Sequence, residues 1–347
     1  MRWLRFPRPA RPRFDPFVLT LLGTVALAVL LPASAGTADV LGGASTGAVA
    51  LLFFLYGARL STREVVDGLR HWRLHTTVLA ATFLVFPLLG LAAGALPPHV
   101  LTPELYGGLL FLCVVPSTLQ SSIAFTALAR GNVSAAICAG SFSSIAGILL
   151  TPLLALLLLG GRADFSPDSL LRIAVRLLLP FIAGQLLRRW IGGFLARHRA
   201  FLARHRAALG LVDRGSILLV VYTAFSQGMN AGVWHQVTPA GLGALLGIET
   251  VLLTVMLSLT WYGSRRLGFV RADRVTILFA GSNKSLAAGL PMAAVLFGPD
   301  TSLAVLPLML FHQLQLTVCA VIARRRSRDP SGKAPGKEPS RAETITG

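Results

Sequence analysis

Residues Phe279–Pro291 read F-A-G-S-N-K-S-L-A-A-G-L-P, inside an apolar segment, Val275–Phe297, long enough to cross a bilayer. Ser282, Asn283, Lys284 and Ser285 stand in a row, with Gly281 before them and Gly289 and Pro291 after. A lysine at mid-membrane costs roughly 2.5–3.5 kcal/mol on insertion scales. At the end of a span it could snorkel to the headgroups, but Lys284 falls near the middle of this one. There the charge needs a cavity or a partner. Glycine and proline around the polar group predict a broken helix, whose freed backbone groups can bind a solute or ion.

The rest of the chain fits a membrane setting. Hydrophobic residues make up 54% of the 347 and charged residues 13%, where a soluble protein carries about 25% charged. Mean hydropathy is +0.69. The chain reads as an all-α polytopic membrane protein. Ten apolar spans can be marked: Phe17–Leu31, Val40–Ala58, Thr76–Leu96, Leu105–Ala129, Val133–Leu159, Leu170–Leu187, Ser216–Gly228, Ala240–Tyr262, Val275–Phe297 and Ser302–Ala323. The seventh is short unless it runs from Asp213 towards Trp234. The basic N-terminus, Phe17–Leu31 and Ala33-Ser34-Ala35 also have the outline of a cleaved signal peptide. Keeping the segment as a first helix makes the charge topology consistent.

When the connections are assigned to alternate sides, 28 of the 32 Lys and Arg fall on one side. The positive-inside rule then puts both termini in the cytoplasm, with the chain in the inner membrane. The net charge of +18 is therefore a topology signal, and no aromatic-and-basic surface for nucleic acid is evident. Residues 1–15 form a basic cytoplasmic N-terminus, 16–326 the membrane domain, and 327–347 a tail whose composition predicts disorder. The stretch Phe194–Leu209 contains a tandem A-R-H-R-A repeat and reads as a surface helix on anionic lipid heads.

Two internal matches suggest a duplication. Gln120-Ser121-Ser122-Ile123-Ala124 parallels Asn283-Lys284-Ser285-Leu286-Ala287 at an offset of 163, and Tyr56 parallels Tyr222 at 166. A repeated five-helix unit, about 16–160 and 168–326, must enter the membrane from opposite sides because five is odd. Inverted repeats with broken helices are a transporter signature. The fourth span also carries break signals: Pro116 is followed by Ser117, Thr118, Gln120, Ser121, Ser122 and Thr126. Glu249 is the one acid deep in an apolar span, a candidate to pair with Lys284 or to carry protons. His312, Gln313 and Gln315 lie in the middle of span ten. Cys113, Cys138 and Cys319 show no metal spacing and read as small buried hydrophobes. There is no P-loop, catalytic triad or metal cluster in the pattern, so neither an enzyme nor a bound cofactor is expected.

These motifs resemble the bile acid:sodium symporter superfamily, and most closely its bacterial branch similar to solute carrier family 10 member 7. The resemblance runs from about Asp15 to Arg326. It rests on P-S-T-L-Q-S-S-I-A-F-T and A-R-G-N in span four and on G-S-N-K-S-L-A-A-G-L-P in span nine. H-W-R-L-H at 71–75, S-I-L-L-V-V-Y-T-A-F-S at 216–226 and P-L-M-L-F-H-Q-L-Q-L at 307–316 are also similar. It implies a core and a panel domain, with discontinuous helices 4 and 9 crossing at the centre to hold sodium near an organic anion. Carried onto this sequence, Gln120, Ser121 and Ser122 fall at that family's span-four polar pair and Ser282, Asn283 and Lys284 near its span-nine Gln-Asn. The polar residues Thr118, Thr126 and Ser285 beside them complete the candidate substrate and ion site, and Glu249, Lys284 and His312 are coupling candidates. The sodium-binding glutamate of that family has no counterpart, since Leu278-Phe279-Ala280 stand there. The ammonium of Lys284 can occupy the space of a cation. The expected function is secondary transport of a small organic anion, with sodium coupling open. The alternative, which the branch also permits, is a non-transporting regulator of calcium homeostasis.

Overall fold

The computed structural model describes residues 16–59, 71–96, 101–159, 175, 177–187, 199–230, 232, 238–297 and 301–327. The N-terminal stretch 1–15, the tail beyond 327 and the first half of the basic repeat lie outside them. Every element among the described residues is helical. In chain order these are α1 (Pro16–Leu30), α2 (Ala35–Arg59), α3 (Trp72–Ala93), α4 (Pro103–Val114), α5 (Leu119–Leu128), α6 (Val133–Leu159), α7 (Leu177–Leu187), α8 (Arg199–Asn230), α9 (Pro239–Arg266), α10 (Arg271–Ser282), α11 (Leu286–Phe297) and α12 (Thr301–Ser327).

Local chemistry sets several of the ends. Thr102-Pro103 and Thr238-Pro239 start α4 and α9 in the same way. The threonine hydroxyl accepts from the amide three residues on, at 3.4 Å from Leu105 and 3.1 Å from Gly241, while proline fills a position that needs no N–H donor. Asn132 caps α6, its Oδ1 taking the Ala135 amide at 3.1 Å. Its Nδ2 donates to Asp273 Oδ1 at 2.8 Å, which ties the α5–α6 turn to the start of α10. Arg130, at φ 57°, turns the chain there.

By length and hydropathy α2, α3, α6, α9 and α12 can each cross a bilayer, and α4 with α5, bent by 61°, can make a sixth crossing. Leu19–Leu30 and Leu177–Leu187 are apolar but shorter. The chain is a multi-pass membrane protein. The basic repeat departs from the expectation of a separate surface helix. From Arg199 onward it is continuous with the seventh apolar span in one 32-residue helix, α8, which has no proline to break it and tolerates Gly210 and Gly215 between the two.

The helices sort into two groups. α8 packs along α1 and α2. α2 meets α7 where Gly57 lies against the Phe181 carbonyl and Gly184 against that of Phe54. The other group, α3–α6 and α9–α12, surrounds the two breaks, and α8 reaches it through α11 and α12.

The two broken segments run antiparallel. As the first chain descends through Asn132, Phe125, Ser117, Pro116 and Phe111, its partners ascend through Ala272, Phe279, Ala280, Ser285 and Phe297. Element lengths recur as well: α4 and α10 each have 12 residues, α6 and α12 each have 27, and both pairs start 168 residues apart. This spacing differs from the 163-residue offset of the sequence match. Gln120 stands on the helix after its break, whereas Asn283 stands inside its own break. The amide-serine match therefore joins residues that stand differently relative to the two breaks.

Candidate functional site

The breaks at 115–118 and 283–285 meet at the centre of this group. Ser285 donates its backbone N–H to the Pro116 carbonyl at 2.8 Å, and its hydroxyl accepts from the Ala288 amide at 3.2 Å, so it caps α11. Asn283 is wholly buried. Its Nδ2 donates to Ser121 Oγ at 3.4 Å, and its Oδ1 accepts from Cys319 Sγ at 3.3 Å. Ser122 donates to the Phe279 carbonyl at 3.4 Å and Ser117 to that of Ala280.

Lys284 is wholly buried, and its Nζ donates to three backbone carbonyls: Cys113 at 2.6 Å, Val115 at 2.9 Å and Thr82 at 3.0 Å. The Phe86 ring lies 4.1 Å from the nitrogen and adds a cation–π contact. Carbonyl oxygens only accept, so three of them use all three N–H of an ammonium.

Each of the three oxygens is free for a reason in the sequence. In the π-helical turn Ala81–Val85 of α3, the Phe86 amide bonds back to Ala81, and the next residue, Pro87, has no N–H to give Thr82. At the end of α4, Ser117 N–H turns away to Ser143 Oγ at 2.9 Å, which leaves the Cys113 carbonyl open. Val115 lies in the break itself. The negative end of the α4 dipole also faces the ammonium.

Gln315 fixes the Lys284 backbone. Its Oε1 accepts the Lys284 amide at 2.7 Å and its Nε2 donates to the Lys284 carbonyl at 2.8 Å. His312 Nδ1 lies 2.9 Å from the same Nε2.

The structure thus brings together Ser121, Ser122, Asn283, Lys284 and Ser285, with His312 joined through Gln315. Other expected members are not bonded to this cluster through their side chains. Gln120 is exposed on the first turn of α5. Ser282 bonds back to the Leu278 carbonyl of its own helix. Thr118 is buried at the α5 N-cap, where its side chain makes no capping bond. Thr126 is buried with its hydroxyl unpartnered among the described residues. Glu249 makes no pair with Lys284: the ammonium's three donors are spent on carbonyls, and neither carboxyl oxygen finds a donor among the described residues. The sequence reading missed the carbonyl cage and Phe86, and Pro87 was the signal that could have pointed to Thr82. An apolar cavity of about 400 Å³ opens beside the second break, between α1 and α8 on one side and α11 and α12 on the other. Leu21, Phe225, Leu286, Met309 and Gln313 are among its lining residues.

Residues 15–328 match the SBF-like CPA transporter family. The chain belongs to that family. An uncharacterized Pseudomonas aeruginosa protein is 52% identical over 339 residues, covering 96% of this chain and all of that one. YfeH of Escherichia coli, provisionally named a symporter, is 45% identical over 90% of this chain and 93% of its own. Sodium/bile acid cotransporter 7 of Xenopus tropicalis is 29% identical over 90% of this chain and 91% of its own. The family places the chain among transporters of the bile acid symporter superfamily and not among enzymes.

Proposed function

We propose that this protein is a secondary transporter that carries a small organic anion by alternating access, without sodium, around the crossing of its two broken segments. The carrying observation is the Lys284 ammonium in its cage of three carbonyls. A monovalent metal ion would need the same kind of oxygens, and the chain's own cation already fills that place.

The antiparallel broken segments and the 168-residue recurrence support an inverted repeat of five helices per unit, ten in all. The first group, α1, α2, α7 and α8, acts as the panel, and the helices around the breaks act as the core. The arginine distribution supports cytoplasmic termini in an inner membrane. An anion is favoured because α5 and α11 both begin at the crossing and present the positive ends of their dipoles. Gln120 and Ser121 add side-chain donors there. The neighbouring apolar cavity fits an organic body, in keeping with the names of the symporter and cotransporter relatives.

The test is current on solid-supported membranes carrying reconstituted protein, screened over organic anions with and without sodium. Sodium-independent current that Lys284→Ala abolishes, with membrane insertion intact, is the expected result. Unchanged current in that variant overturns the role of Lys284, and current that requires sodium overturns the ion-free reading. If no anion gives current, the regulator of calcium homeostasis becomes the better account.

A further inference from the structure

Glu249 lies on the inward stripe of α9 with Leu245, Leu252, Leu253, Met256 and Thr260, all buried. Its relative exposure is 0%, and neither carboxyl oxygen has a hydrogen-bond partner among the described residues. An isolated buried carboxylate is among the costliest groups a protein can hold, at several kcal/mol even after relaxation. A carboxylic acid removes that charge and leaves only a neutral polar group to accommodate. The mechanism proposed above gives this residue no task.

The helix that carries Glu249 packs against the Phe86–Ala93 stretch of α3, whose Phe86 ring lies on the Lys284 ammonium. The two ionisable groups differ in what their partners require. Lys284 needs all three of its protons, because losing one would orphan a carbonyl. Glu249 has no such commitment.

We propose that Glu249 is a proton-binding site that takes up and releases one proton in each transport cycle, and so supplies the coupling ion. This deepens the transport reading and rests on it. In uptake an O–H bond of hydronium breaks as one forms on a carboxylate oxygen, leaving water. In release towards the opposite side the carboxyl O–H breaks as water becomes hydronium. Nothing is oxidised or reduced.

The charged and titratable groups on the elements packed against α9 leave Glu249 distinct. The adjoining stretch of α3, Phe86–Ala93, has none. α10 carries Arg271, Asp273 and Arg274, and α12 carries His312, Cys319 and Arg324–Arg326. Arg274 and Arg326 both stack on Trp261, at 4.0 and 3.4 Å from the ring centre. That ring is about 18 Å along the helix from Glu249. His312 is held at Gln315. Cys319 is held by its bond to Asn283 Oδ1.

The proton itself is the probe. Purified full-length protein on a solid-supported membrane, given a pH jump with no solute present, should show a transient charge displacement. Glu249→Gln, the near-isosteric mimic of the neutral acid, should reduce it to background and keep the wild-type melting temperature. The infrared difference spectrum between acid and alkaline pH should lose a protonated-carboxyl band in the same variant. If Glu249→Gln does not fold, Glu249→Asp keeps a carboxyl and should shift the midpoint of both signals. Signals unchanged in the variants overturn the proposal. If they are unchanged while Lys284→Ala still abolishes anion current, the transport reading stands alone. If the proton signals depend on Glu249 but no anion gives current, the site stands and the transport reading falls.

Discussion

Gln315 grips the peptide of Lys284 at both ends, with Oε1 2.7 Å from its amide nitrogen and Nε2 2.8 Å from its carbonyl oxygen. The clamp holds the break open, because a residue outside any helix has no neighbouring turn to bond. Gln315→Met keeps the volume and removes both partners. Each orphaned buried group costs about 1–3 kcal/mol, so the variant should lose about 2–6 kcal/mol of stability. Thermal unfolding in detergent measures this, and a melting temperature equal to wild type would show that the clamp is dispensable.

The α2–α7 contact makes a second prediction about stability. A Cβ at Gly57 would collide with the Phe181 carbonyl, and one at Gly184 with that of Phe54. Such small-residue crossings let helix backbones touch in a membrane. Gly57→Ala and Gly184→Ala should each destabilise the protein by about 1–3 kcal/mol through overpacking. Once one alanine has pushed the helices apart the second costs less, so the double variant should fall short of the sum. Additive losses in the same unfolding assay would place the two glycines in independent environments.

The sequence made the membrane class, the two breaks and the importance of 279–291 legible, because apolar runs interrupted by Pro116 and by S-N-K-S leave few other arrangements. The spacing of the helices around the breaks was not legible. Similar letters recur at 163 residues because small and polar residues occur around both breaks, whereas the two 12-residue helices before the breaks start 168 apart. The partners of Lys284 were hidden for a different reason. They are main-chain oxygens of Thr82, Cys113 and Val115, and residue letters do not record which carbonyls are unpaired. Glu249 stood out by its charge alone, and only the packing shows that Lys284 is not its partner.

Pro87 should be a functional residue without touching any ligand. Its missing N–H leaves the Thr82 carbonyl to Lys284. Pro87→Ala supplies a competing donor and lets the π-helical turn relax towards a regular helix. The new backbone bond contributes about 0.5–1.5 kcal/mol, offsetting the weakened cage, so stability should change little. Transport should fall sharply. Measuring melting temperature and current on the same preparation separates this outcome from simple unfolding, in which both would fall together.

The last prediction concerns the cage when its own cation is removed. Lys284→Ala leaves the carbonyls of Thr82, Cys113 and Val115 directed at an empty space, with the negative end of the α4 dipole behind them. A small monovalent cation offers what they lost. Sodium should therefore raise the melting temperature of Lys284→Ala in a saturable way, with choline chloride at matched ionic strength as the control. Wild type, whose oxygens are already taken, should not respond. A site that binds only the folded state contributes about 2.7 kcal/mol at a hundredfold excess over its dissociation constant, which is readily seen in an unfolding curve. Equal sodium responses in the two proteins would mean that the ion binds elsewhere and that Lys284 does not stand in its place.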